Sequence, residues 1–570
     1  MYLAIDFGTS YTKLGWTQGG SFVNLSGGSM HVPSVVTYLP STGLLHFGPL
    51  ALRLQEPGAL TLPFFKLMLK RNPSLHLGPY SLPEILQEFF AYLIREYVEP
   101  GGAEPDGLLL SVPNYFGLRS RRLLLDGARA ATGLVDIRLV PEPVAALLGH
   151  NNSHPGQALE GEVLCIDIGG GTTDFSFLSL SGHGRQILLE TQLQIGNDAF
   201  SGSEMDRGML RHIFFPAFTM QTGALIPDEL LKEKNLAARD RFRFNRLMQK
   251  AEAVRIELSQ KGGSRCDLPD FYNGLSLMYE LEPDWFDRQM EPVFARLRNF
   301  FFSNVKNKAE RLGLWQTGRW NLDYVLLLGG ASQTRGIAEM INELCPGVMI
   351  ISPRERDFAV VRGLCAWAAD SLAHKPSIKN IYPFEFYIEK KTDTAEAIHL
   401  EKIPFDTGNL ELNPEETYPI FSFPVHSDYN LAAHPGDFHC RIYELSEGEK
   451  SDEATGERFL GQEILLGADE VYQISGDSVT VLLNLQQSCL EVVGCAIEPA
   501  NHKLADWWQE LPAHQQEAAQ LVKDYPFIDN RLKSDFSNHL QTLEETCAYK
   551  SWDNTALYKM LYLIQLLGGK

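Results

Sequence analysis

Two stretches of the sequence set an aspartate just ahead of a turn rich in glycine and threonine. One is Asp6-Phe7-Gly8-Thr9-Ser10; the other is Asp167-Ile168-Gly169-Gly170-Gly171-Thr172-Thr173-Asp174. Glycine has no Cβ, so such turns can bring backbone N–H groups close to an anion. A carboxylate beside a phosphate repels it, but it can hold the water shell of Mg²⁺ or orient an attacking water. Acid plus glycine turn is therefore equipment for a magnesium-bearing polyphosphate. A third stretch, Tyr324-Val325-Leu326-Leu327-Leu328-Gly329-Gly330, ends an apolar run in two glycines, against which a flat ligand can lie. A P-loop is not the device. The only Gly-Lys pair is Gly569-Lys570, and no Gly-x-Gly-x-x-Gly strand–helix unit is present.

Turns of this kind need strands behind them. Apolar runs at 2–5, 107–112, 163–166 and 324–328 read as buried strands. Between them, helical spacing of apolar residues covers 83–97, 119–132, 143–149 and 239–260. Alternation of the two predicts an α/β protein with mostly parallel central strands. The run Leu3-Ala4-Ile5-Asp6-Phe7-Gly8-Thr9-Ser10 is echoed by Leu164-Cys165-Ile166-Asp167-Ile168-Gly169-Gly170-Gly171-Thr172. A duplicated strand–turn–strand unit implies two similar lobes that grip a ligand between them.

Near residue 371 the texture changes. A polar linker with Pro376 occupies 371–380. Short alternating segments at 384–388, 438–443, 459–464, 479–485 and 490–497 then predict an antiparallel β-sandwich over 381–502. Trp, Leu and Tyr at helical spacing from Lys503 predict a short helical region over 503–570.

Composition sets bounds. The chain has 570 residues, a formal net charge of -21 and an apolar share of 44%. That charge repels phosphate backbones and anionic lipid, so partners among nucleic acids and membranes are not expected. The eight cysteines form no Cys-x-x-Cys and no zinc spacing, and read as reduced thiols of a cytoplasmic protein. The first residues read as a strand rather than a signal peptide, and no run of about 18 apolar residues occurs.

These segments together resemble the actin-like ATPase superfamily, and within it the DnaK-type 70-kDa heat-shock chaperone family. Ala4-Ile5-Asp6-Phe7-Gly8-Thr9-Ser10-Tyr11 is similar to the family's first phosphate loop. Leu110-Ser111-Val112-Pro113-Asn114-Tyr115-Phe116, Val140-Pro141-Glu142-Pro143-Val144-Ala145-Ala146, the segment from Ile166 to Asp174, and Gly202-Ser203-Glu204-Met205-Asp206 match later motifs in the family's order. The resemblance implies a duplicated two-lobed ATPase domain over 1–370, with ATP or ADP and Mg²⁺ as its cofactors. It implies that Asp6, Asp167 and Asp174 hold the metal through water. Lys66, Glu142, Asp167 and Asp174 are the implied catalytic residues, with nearby Lys70 competing for the lysine's place. Gly8, Thr9, Ser10, Tyr11, Gly169, Gly170, Gly171, Thr172 and Gly202 are implied to contact phosphate. Glu252, Arg255, Ser259, Gly329, Gly330, Arg335 and Asp357 are implied to hold the nucleoside. Pro113 matches the family's proline switch. Ile256 stands where the family often stacks an arginine on adenine, so cation–π stacking is lost there.

The function implied is an ATP-hydrolysing chaperone that couples nucleotide state to its grip on an unfolded polypeptide. A J-domain co-chaperone and a nucleotide-exchange factor are the family's helpers. The linker lacks the family's Asp-flanked leucine run, which keeps open a nucleotide-gated scaffold that binds one folded partner with little hydrolysis. An actin-superfamily kinase for a small molecule is the third alternative.

Overall fold

The computed structural model describes residues 2–497 apart from 19–20, 26–30, 55, 57, 103, 114–115, 155–157, 182–187, 198, 228–229, 231–237, 354–355, 371–376, 380–383, 391–398, 406–416, 425–428, 430–439, 447–461, 467–471, 475–477, 486–487 and 494. The expected helical region 503–570, most of the linker, and Asn114 and Tyr115 lie outside the described residues. The chain divides into two compact units, the first built essentially from residues 1–384.

Two mixed sheets make the frame of the first unit. One contains β1 (Tyr2–Phe7), β2 (Tyr11–Gln18), β3 (Ser21–Asn24), β4 (Gly107–Val112) and β5 (Ile137–Pro141), in the order β5-β4-β1-β2-β3. The other contains β6 (Gly161–Ile168), β7 (Thr173–Ser181), β8 (Leu188–Asn197), β9 (Tyr324–Leu328) and β10 (Met349–Ile351), in the order β10-β9-β6-β7-β8. In each, the first strand is central, parallel to the fourth and antiparallel to the second. The echo in the sequence is thus a duplication of topology, strand for strand. One addition departs from it. β11 (Ser377–Lys379), inside the segment expected to be linker, pairs parallel with β8.

Helices pack by rules legible in their residues. α1 (Leu82–Leu93) begins at a capping box in which the Ser81 hydroxyl and N–H both donate to Glu84 Oε2, with Pro83 in the first turn. Leu82, Ile85, Leu86, Phe89, Phe90 and Leu93, at spacings of three and four, are all buried. α2 (Leu118–Thr132) stops at Gly133, whose φ of 69° is left-handed. α3 (Glu142–Ser153) follows β5; α4 (Gly202–Met209), α5 (Ala238–Lys261) and α6 (Pro283–Phe300) build the outer part of the second lobe; α7 (Ala359–Asp370) follows β10.

Each lobe has its own core. Phe7, Phe65, Phe89 and Phe90 interlock in the first; Phe175, Phe177, Phe301 and Trp320 do so in the second. A third core lies between the sheets, where α3 and α7 meet Ala4, Leu109, Cys165 and Leu326. There the helices cross at backbone contact. A Cβ on Gly363 would sit 1.6 Å from Ala145 O, and one on Gly149 would sit 2.5 Å from Ala359 O. No side chain fits in that crossing.

The second compact unit, from residue 385, is β-rich among its described residues. Phe384–Lys390, His399–Lys402, Cys440–Ser446 and Gln462–Leu466 share one sheet. Thr417–Pro424, Ser478–Asn484 and Cys489–Val493 share another, and Tyr472–Ile474 pairs with Cys495–Ile497. The run expected as one strand at 490–497 is therefore divided between two sheets. No helix among the described residues is long and apolar enough to cross a membrane.

Candidate functional site

Both glycine turns open into a cavity of about 1020 Å³ between the two lobes. The first turn joins β1 to β2. It is held by Ser34, whose N–H donates to Ser10 O and whose hydroxyl donates to Gly8 O. The second joins β6 to β7 and is held by the N–H of Gly169 on Thr172 O and that of Ser203 on Gly170 O. The turns nearly touch. A Cβ on Gly170 would lie 1.8 Å from Ser10 Oγ, and one on Gly171 would lie 2.4 Å from Thr9 Cγ2. A side chain at either glycine would collide with the side chains of Ser10 and Thr9 on the first turn.

Beside the turns lies a cluster of opposite charges. Asp6, buried at the end of β1, accepts from Ser111 Oγ at 2.8 Å and from Lys13 Nζ at 3.0 Å. Lys66 sits in the short turn Phe65–Leu67, is 2% exposed, and donates to Glu142 Oε1 at 2.7 Å. Its ammonium also faces the rings of Phe7 and Phe116. Lys70, the competing lysine, is exposed and does not line the cavity. Asp167 is pushed up to about 7 by burial, with Glu142 and Asp6 adding to the shift. Asp174 lies well above the usual carboxylate range for the same reason, with Glu142 and Asp167 beside it. Burial also raises Glu142, against the pull of Lys66. Four carboxylates against two ammonium groups leave this end of the cavity short of positive charge.

The other end is built by α5 and by the turns after β9 and β10. Tyr11 OH donates across the cleft to Glu252 Oε2 at 3.2 Å. Arg255, 4% exposed, is committed to Asp206 Oδ1 at 2.7 Å and to Thr334 Oγ1 at 2.8 Å. Ser259 donates to Arg255 O and accepts the N–H of Arg335. Ile256, 42% exposed, faces the cavity near Phe244 and Met248. His31 Nε2 stands 2.7 Å from Asp357 Oδ2 and packs edge-on against Phe358.

Of the residues expected at the site, Asp6, Gly8, Thr9, Ser10, Tyr11, Lys66, Glu142, Asp167, Gly169, Gly170, Thr172, Asp174, Gly202, Glu252, Arg255, Ser259, Gly329, Gly330 and Asp357 all line this cavity, as does Pro113. Two do not. Gly171 is packed against Thr9. Arg335 turns away, its guanidinium held 3.0 Å from Asp287 Oδ2 on α6. Lys13 and His31 were not anticipated. Lys13 was findable: a turn that pairs Phe7 with Thr12 must pair Asp6 with Lys13. No sequence signal marked His31. Among the described residues, no three His, Cys, Asp or Glu side chains are placed to hold a metal directly.

The fold, the duplicated turns and the acidic cluster define a protein of the Hsp70 class. The family described as "Hsp70 protein" matches residues 84–399, more than half of the chain, and the chain belongs to that family. Its relatives include the "Chaperone protein DnaK" of two strains of Thermus thermophilus. Each is 27% identical over 269 residues, which is 45% of this chain and 39% of the relative. The match thus spans about two-fifths of those relatives' length.

Proposed function

We propose that the first unit binds and hydrolyses ATP, and that nucleotide state controls the grip of the second unit on a polypeptide client. One observation carries the reading: two glycine turns from matching sheets close on each other beside a buried cluster of acids and lysines. In this reading the N–H groups of 8–11 and 169–172 cradle the phosphates. Lys66, oriented by Glu142, steadies charge on the departing phosphoryl group. Asp167 and Asp174 orient the attacking water.

Magnesium fits the donor set. Burial, and after it the neighbouring carboxylates, raise Asp167 and Asp174, and a divalent cation at this end would favour their charged forms. Asp6, Asp167 and Asp174 would hold it through water. Bound there, it supplies charge neutralisation to the phosphates.

At the nucleoside end, Glu252, Ser259 and Ile256 would bound ribose and base. The fixed Arg255 would brace α5 rather than reach the ligand. The β-rich second unit would take an extended apolar segment by backbone pairing, and a J-domain co-chaperone and an exchange factor would tune the cycle.

The test is ATP turnover with and without an unfolded peptide. Severalfold stimulation is expected; tight ATP binding with no stimulation replaces the chaperone reading with the scaffold, and no nucleotide binding removes both. The scaffold reading draws on the linker, which lacks an Asp-flanked leucine run.

A further inference from the structure

One partly buried cation has no assigned part in the reading above. Lys13 lies on β2 directly opposite Asp6, and opposite residues of an antiparallel pair share one face of the sheet. Its side chain is 14% exposed and lines the cavity. Its ammonium lies 3.0 Å from Asp6 Oδ2, in a cavity that Asp167 and Asp357 also line.

A purely structural role explains this poorly. A buried ion pair seldom stabilises a sheet more than an apolar pair of the same volume. An ammonium carries three donors, and among the described residues Lys13 uses one, on Asp6. The remaining donors are available to an anion entering between the turns. Lys66 also lines the cavity, but its ammonium is the more enclosed of the two, by Phe7, Phe116 and Glu142.

We propose that Lys13 is a phosphate-binding residue that takes over part of the divalent cation's work: its ammonium neutralises Asp6 and pairs with the nucleotide's phosphates. The proposal rests on the nucleotide reading of the cleft and adds a specific departure to it. Nucleotide affinity in this protein depends weakly on divalent metal, and the metal acts chiefly on the Asp167–Asp174 side.

Calorimetric titration of the full chain with ADP, in excess magnesium and in excess EDTA, tests this. For the wild type, removal of metal is expected to weaken ADP binding by less than about tenfold, one charge-assisted contact being worth roughly that much. Lys13→Met is expected to weaken it by a further tenfold or more in EDTA, but by about threefold or less in magnesium, and Lys13→Arg to restore most of the loss. Equal effects of Lys13→Met in the two buffers, or none, overturn the proposal. Should the Met variant not fold, the wild type alone decides, because ADP binding that vanishes in EDTA also overturns it. ADP that binds in neither buffer sinks the nucleotide reading itself, a distinct result.

Discussion

The sheet β1–β5 and the sheet β6–β10 present the same hairpin and glycine turn to the cleft, yet they load it differently. Both lysines that line the cavity, Lys13 and Lys66, come from the first lobe, each already beside an acid, Asp6 or Glu142. The second lobe brings Asp167 and Asp174, both raised by burial against the pull of Lys66. Duplication therefore supplied the shape, and divergence of a few side chains made the cleft sided. One wall carries lysines paired with acids; the other carries two buried carboxyls raised above their usual range.

If that division is right, removing charge from the two walls has opposite consequences. Lys66→Ala should lower ATP turnover by roughly 100-fold or more while leaving ADP affinity nearly unchanged; single-turnover kinetics beside calorimetry would separate the two, and unchanged turnover would take Lys66 out of the chemistry. Asp174→Asn should slow turnover by roughly tenfold. It should also raise the melting temperature of the ligand-free protein by about 2 °C. The sign follows from linkage. A carboxyl whose pKa is raised by folding contributes stability below its unfolded pKa, and that contribution is lost as pH rises through the folded value. Asparagine removes the loss at neutral pH, so a lower melting temperature there would contradict the assigned strain. Arg335→Ala should change ADP affinity less than about twofold, since its guanidinium serves Asp287. A larger loss would return it to the nucleoside site.

Much of the frame was legible because strands and helices follow local periodicity. β4 and β9 fall on the predicted residues 107–112 and 324–328, and α5 matches the stretch expected at 239–260. The glycine turns and their aspartates were legible because only a few residue types can line such a bend. What stayed hidden depends on contacts distant in sequence. Arg335 has the right residue type in the right loop, but Asp287, 48 positions away, claims it. His31 meets Asp357 across 326 positions. The strands His399–Lys402 and Thr417–Pro424 lack the alternation that would have announced them. β11 sits in a polar stretch whose strand character comes from the edge of β8, not from its own residues.

The crossing of α3 and α7 has a further meaning. Although α7 follows β10 of the second sheet, it packs on β1, β2 and β4 of the first, and at Gly363 its backbone bears directly on Ala145 of α3. The side chain that this position lacks thus sets how closely the two helices can lie: a single methyl group at Gly363 would meet the Ala145 carbonyl and force α3 and α7 apart.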